Sequence, residues 1–190
     1  CIKLIDLGTQ KTEWAGQEKL SQKAVLVWEI PGERITYKNK AGEDVEAPMT
    51  ISSKYTVSLA PKANLRAVLE SWRGKAFTAE ELDGFQLINI VGVPCMLSVV
   101  HEASKDGTKM YANVSSVMKL PKGIECPKQE NPSVIYDIEN HDQTVFEALP
   151  KYYQEQIMLS QERTVPAHTE DTFGFHEEEE EDINPADIPF

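Results

Sequence analysis

Residues 49–74 read Met-Thr-Ile-Ser-Ser-Lys-Tyr-Thr-Val-Ser-Leu-Ala-Pro-Lys-Ala-Asn-Leu-Arg-Ala-Val-Leu-Glu-Ser-Trp-Arg-Gly. Two periodicities meet inside this stretch. Ile51, Ser53, Tyr55, Val57 and Leu59 share one face of an extended chain, and Thr50, Ser52, Lys54, Thr56 and Ser58 share the other. Strict alternation of this kind predicts a strand with one wet face. After Pro61 the period changes: Leu65, Val68, Leu69 and Trp72 recur at helical spacing, and Gly74 can close the helix. A strand therefore runs into a helix, and the rest of the chain is read around that join.

On the N-terminal side, Ile2–Leu7 is a short apolar strand ended by Gly8. Residues 8–22 are polar with a single Trp14 and read as a loop. Lys23–Ile30 is a strand stopped by Pro31-Gly32, and residues 31–48 suit a long hairpin or mobile loop. On the C-terminal side, Thr78-Ala-Glu-Glu81 predicts a capping box opening a second short helix. Strands are expected at Phe85–Val91 and Pro94–His101, then a turn at Ser104–Thr108 and a strand over Lys109–Leu120. The order strand, strand, strand, helix, strand, strand matches the five-stranded oligonucleotide-binding (OB) barrel, with its helix between strands 3 and 4. Phe85–Val91 is then a lead-in to strand 4, and other small β barrels fit the pattern too. Ile124–Asn140 is Pro-punctuated and extended, and Thr144–Ser160 reads as short helices broken at Pro150. The expected architecture is mainly β: a barrel over residues 1–123, an extended and helical C-terminal extension over 124–165, and an acidic tail over 166–190.

The 190 residues carry a net charge of -12, distributed unevenly. Residues 1–125 have a net charge of +1, residues 126–165 of -4, and residues 166–190 of -9 with no Lys or Arg at all. A near-neutral body thus precedes an acidic tail, and this asymmetry says more than the total. The tail contains Glu177–Glu181 and Asp182, whose mutual repulsion leaves it disordered in isolation. No stretch reaches the roughly 20 apolar residues of a membrane span, and no basic-then-apolar leader opens the chain. It begins with Cys1 rather than Met, an indication that the natural start lies upstream. Three widely spaced cysteines, Cys1, Cys95 and Cys126, form no disulfide framework and favour a reducing cytoplasm.

Motifs for phosphate cradles, dinucleotides, nucleophile elbows and zinc proteases are lacking, and His101, His141, His168 and His176 stand at no ligand spacing with the cysteines. Cys95 reads as a buried core thiol. Glu80, Glu81 and Asp83 fit a solvated helix start better than a metal site. The reading assigns no catalytic residue, metal ligand or cofactor. What the sequence does offer is cations interleaved with rings, the combination that tracks phosphates and stacks on bases. The candidates are Trp14; Lys23 and Trp28 on strand 2; Arg34, Tyr37, Lys38 and Lys40 beyond it; Lys54 on the wet face of strand 3; and Lys105, Lys109 and Tyr111 on the last hairpin. Trp28 shares a face with Leu26 and Ile30, which equally suits a core residue. Trp72 and Tyr55 belong to apolar faces and read as core.

Glu177–Asp182 followed by Asp187-Ile188-Pro189-Phe190 resembles the acidic C-terminal tip of bacterial single-stranded DNA-binding proteins, apart from the insert Ile183-Asn-Pro-Ala186. In that family the tip recruits replication and repair enzymes. Ile5-Asp-Leu-Gly-Thr-Gln10, Asn64-Leu-Arg-Ala-Val-Leu-Glu-Ser-Trp-Arg-Gly74 and Val91-Gly-Val-Pro-Cys95 resemble a phage-encoded single-stranded DNA-binding family over roughly residues 1–160. The resemblance implies the same barrel, a role in phage DNA replication or recombination, and a bacterial host cytoplasm. It identifies no contact residues. Phe190 carries a ring and a terminal carboxylate together, which suits an apolar pocket rimmed by Arg or Lys. Pro189 lowers the cost of ordering. The other readings are an acidic-tailed interaction or structural protein whose barrel binds protein rather than DNA, and a nuclease built on scattered carboxylates such as Glu80 and Asp83; the tail by itself also fits a merely solubilising role.

Overall fold

A computed structural model describes residues 1–14, 16–39 and 41–164. Its six strands form two sheets, one of four strands in the order β3-β2-β1-β6 and one of two, β4-β5. Strands β1 (Lys3–Trp14), β2 (Gln17–Lys38) and β3 (Asp44–Thr56) make an antiparallel meander. Strand β6 (Val134–Tyr136) adds to β1 in parallel. Strands β4 (Met96–Ala103) and β5 (Met110–Met118) form a separate hairpin.

The run Ala24-Val-Leu-Val-Trp28 explains why the larger sheet is covered twice. All five residues are buried, as expected of a strand with packing on both faces. Leu4 stands opposite Leu26 and Trp28 opposite Ile51, and this inner face packs on helix α1 (Asn64–Arg73) and on Val117 of β5. Leu65, Leu69 and Trp72 supply the buried stripe of α1, and Gly74 ends it at φ 71° with its N–H on Glu70 and Ser71 carbonyls. The Trp28 and Trp72 rings lie 6.1 Å apart, and the Trp72 indole N–H donates to Pro94 O at 2.9 Å. The outer face presents Ile5, Val25 and Val27 to a second core formed with Tyr136, Ile138, Leu149 and Ile157. That core is built by β6 and the C-terminal helices α3 (Gln143–Ala148) and α4 (Lys151–Met158), which lie on either side of the break at Pro150. A last turn of helix, α5 (Gln161–Thr164), lies against β1.

The helix after Pro61 and the capping box at Thr78 and Glu81 of α2 (Ala79–Asp83) form as the sequence predicts, and the strand expected over 49–59 forms with shifted ends, running from Asp44 to Thr56. Four expectations need correction. Gly8 does not end β1: the register shifts between Asp6 and Gly8, a bulge absorbs the glycine at φ 70°, and the strand continues to Trp14. Residues 8–22 are therefore a hairpin, not a loop. Pro31-Gly32 does not stop β2, because those residues fall where the register shifts between Ile30 and Arg34, and a bulge tolerates a residue without an N–H. Phe85–Val91 is no strand. Leu87–Ile90 form a 3-10 turn whose one buried side chain is Ile90. Finally, the strand order and the helix between β3 and β4 are as expected, but the sheets do not close into a five-stranded barrel. The outer edge of β1 is taken by β6, and β5 runs near β3 without a ladder. Among the described residues no helix is long and apolar enough to cross a membrane.

Candidate nucleic-acid interface

Three hairpins extend past the two cores. Residues 11–13 and 16–20 of β1–β2, 32–38 and 41–44 of β2–β3, and 100–103 and 105–113 of β4–β5 are exposed wherever their side chains are described. Their sequences mix polar and charged residues on both faces, so neither face has a core to join. The turns are braced by side chains. Asn39 Oδ1 accepts the N–H groups of Ala41 and Glu43 at 2.9 and 3.0 Å. Asp106 accepts the Ser104 hydroxyl, the Thr108 hydroxyl and the Thr108 N–H, and these bonds pull its carboxyl down to about 2.

The predicted contacts divide among these places. Tyr37 is 50% exposed on the β2–β3 arm. Its cationic neighbours are already neutralised: Arg34 bonds Glu46 at 2.8 Å and Glu130 at 2.5 Å, and Lys38 bonds Asp44 at 2.9 Å. Lys105, Lys109 and Tyr111 stand together on the β4–β5 arm, with Tyr111 52% exposed. Trp14 lies at the tip of the β1–β2 arm. Lys40 and the tip residues Asp187, Ile188, Pro189 and Phe190 fall outside the described residues. Trp28 is corrected: at 1% exposure its ring is sealed against Trp72 and offers no face to a base.

Lys23 and Lys54 come together on the outer face of the sheet. Lys23 stands opposite Thr56 and Lys54 opposite Val25, so the two lysines are diagonal neighbours. Lys19 lies four residues back along β2, on the same face. Lys23 Nζ donates to Thr56 Oγ1 at 2.6 Å, and Lys54 Nζ to Gln156 Oε1 at 2.7 Å. Among the described residues none of these three amines is paired with a carboxylate. Burial, then the charges of Lys54 and Lys19, lower the pKa of the Lys23 ammonium.

Two residues that the sequence reading passed over complete this surface. Tyr153 of α4 places its hydroxyl 3.1 Å from Ser52 Oγ. With Tyr37, Ile35, Met49 and Lys3 it lines a groove of 440 Å³ along the outer face. Tyr152 is 61% exposed, and Lys54 Nζ lies 5.7 Å from its ring centre. A Tyr-Tyr pair just after Pro150-Lys151 was the available signal: at a helix start, successive residues point about 100° apart, so both cannot face the core.

A larger cleft of 880 Å³ opens between β2–β3 and the β4–β5 hairpin, but its character differs. Its walls are mainly apolar, its charged side chains are Glu29 and Glu33, the amino terminus at Cys1 also lines it, and none of the predicted cations reaches it. The lysines on the outer face make it the better candidate of the two for a phosphate chain. Of the acids considered as metal ligands, Glu81 caps Thr78 and bonds Arg73 and Lys75. Lys75, the Thr78 N–H and Arg73 hold its carboxyl near 2. Among the described residues no group of three or more His, Cys, Asp or Glu is placed to share a metal ion. Cys95 is half-buried, and burial pushes its thiol up to about 11. Comparison with protein-family models, with curated proteins and with solved structures found no match to this chain.

Proposed function

We propose that this chain is a single-stranded DNA-binding protein built on an opened OB-type barrel. It coats bare strands during phage DNA replication or recombination in the host cytoplasm, and it recruits partner enzymes through Asp187-Ile188-Pro189-Phe190. The observation that carries the reading is the clustering of Lys23 and Lys54, unpaired with any described carboxylate, beside exposed tyrosines on one sheet face. Phosphate contacts supply most of the affinity for a bare strand, and flat rings accept any base. The hairpin arms add reach: Tyr37, Tyr111 and Trp14 each sit on one. The β6 strand and α4 take the place of barrel closure, and α4 brings Tyr152 and Tyr153 to the same face. The apolar cleft with Glu29 and Glu33 favours a second reading, in which the protein ligates another protein.

Titration of fluorescein-labelled single- and double-stranded oligonucleotides of equal length decides between them. The proposal expects tight, salt-sensitive binding of the single strand and much weaker binding of the duplex. No shift with any single strand at low salt would leave the protein-ligand reading standing.

A further inference from the structure

We infer that Tyr152 is a base-stacking platform, and that with Lys54, Lys23 and Lys19 it forms a nucleotide subsite where the β1–β2 arm leaves the sheet. The inference rests on the single-strand reading above and deepens it by placing part of the contact surface on the C-terminal extension, outside the barrel strands.

Tyr152 has no structural task that explains its position. Ile157 and Leu149 bury the α4 region against the sheet, and Tyr153 anchors it through Ser52. Tyr152 instead stands out from the surface, 61% exposed, with its ring tilted 55° to that of Tyr153 at 5.6 Å. Lys54 is held beside this ring by its bond to Gln156, so a ring and a cation are fixed relative to each other. Tyrosine presents this area at low entropic cost, since only two side-chain torsions must be ordered.

The lysines give the subsite its polarity. Lys19 and Lys23 are four residues apart on one face of β2, about 13 Å along the strand, and Lys54 sits diagonally across from Lys23. On the hairpin arms, Lys11 is met by Glu18, Arg34 by Glu46 and Glu130, and Lys38 by Asp44. Here three like charges gather with no described carboxylate among them, and Lys23 is partly dehydrated as well. An anion with several linked charges relieves that repulsion. One carrying a flat ring beside each charge also uses Tyr152. A single-stranded nucleic acid is such a ligand.

The test uses the full chain and a labelled oligo(dT), with Tyr152→Ala and Tyr152→Phe beside the wild type. The exposure of Tyr152 predicts unchanged thermal melting for both variants. Loss of stacking weakens Tyr152→Ala about tenfold. Tyr152→Phe restores the affinity, and an abasic oligonucleotide binds wild type and Tyr152→Ala equally. The salt dependence stays the same in both variants, because no phosphate contact is removed. If the wild type binds oligo(dT) and Tyr152→Ala binds as tightly, the subsite is refuted and the single-strand reading stands. If Tyr152→Phe is as weak as Tyr152→Ala, stacking is refuted in favour of the hydroxyl. If the wild type binds no single strand, both readings fall.

Discussion

The carboxylate of Glu162 accepts the backbone N–H of Thr9 at 2.8 Å and the Thr9 hydroxyl at 2.7 Å, joining residues 153 positions apart. The contact forms at the β1 bulge, where Gly8 turns its backbone to φ 70°. A Cβ added there would lie 2.5 Å from Ile138 Cδ1, 2.6 Å from Glu162 Oε2 and 2.9 Å from Ser160 Cβ. The bulge is thus the seat on which the end of the C-terminal extension rests. Gly8→Ala combines a left-handed backbone with overpacking and is expected to cost about 3 kcal/mol. Thermal denaturation measures the loss, and limited trypsin digestion at Lys151 and Arg163 measures detachment of the extension. A wild-type melt and digestion pattern would contradict the seat.

Removing only the acceptor is milder. Glu162→Ala leaves the Thr9 groups open to water, so the expected loss is about 1.5 kcal/mol, at the low end for bonds to a charged group. The same melts read it, and an effect as large as that of Gly8→Ala would mean that Glu162 does more than cap the bulge.

Much of this was legible in local sequence. The alternation from Ile51, the stripe Leu65-Leu69-Trp72 and the Thr78–Glu81 box each depend on residues within a few positions of one another, and each forms as read, except that the strand stops at Thr56 rather than Leu59. Features that depend on distant partners were not legible. Gly8 and Pro31 look like stops because a bulge and a stop use the same residues, and only strand register separates them. Strand β6 is three residues long, and its partner Lys3–Ile5 lies at the other end of the chain. At the candidate site the same limit applies. Arg34 reads as an available cation until the fold brings up Glu130, 96 residues away. Tyr152 reads as a helix residue until Lys54 is found beside it.

The cations differ accordingly in what they should contribute to DNA binding. Lys23→Gln/Lys54→Gln removes two phosphate contacts and should flatten the log–log salt slope for oligo(dT) by about 1.4. Lys38→Gln/Asp44→Asn removes a pair already neutralised internally and should leave the slope as it was. Fluorescence polarisation across a salt series measures both. Equal slopes in the wild type and the Lys23/Lys54 variant would move the phosphate path off the outer face.

Tryptophan emission gives a separate reading of the arms. Trp28 and Trp72 are enclosed at 1% and 4% exposure, so direct stacking on a base falls to Trp14. Saturating oligo(dT) should quench part of the wild-type emission, and Trp14→Phe should abolish that quenching while leaving the core emission intact. Quenching that survives in Trp14→Phe would mean that a core ring becomes accessible on binding.

Asp6 sets a pH dependence of stability. Burial raises its pKa above the ordinary 3.8, with Asp137 and Glu162 nearby adding to the effect, against the bonds from Gly8 and Gln22 that lower it. The folded protein therefore binds this proton more tightly than the unfolded chain. The resulting stabilisation is complete below 3.8 and is lost as pH rises through the folded value. Asp6→Asn keeps an oxygen for the Gly8 N–H without the buried charge. It should melt above the wild type at pH 7, and the gap should close as pH falls below 4. A gap that widens towards acid would reverse the sign of the Asp6 contribution.

The same bulge holds the last described turn of the chain. The described chain ends at Thr164, two residues beyond Glu162, which is bonded to Thr9. Thr9 pairs with Gln22, the neighbour of Lys23 in β2. Residues 166–190 carry nine acids and no Lys or Arg, and on the proposed reading these acids are expected to compete with phosphates for the protein's cations. Deleting residues 177–190 should strengthen oligo(dT) binding at low salt, and the advantage should shrink as the screening length falls from roughly 30 Å at 0.01 M to 10 Å at 0.1 M. Deleting only Asp187–Phe190 removes one side-chain charge and the aromatic tip, so it should abolish capture of partner enzymes with little change in DNA affinity. Weaker DNA binding after the longer deletion would place part of the DNA-binding surface in the tail and overturn the division between body and tail.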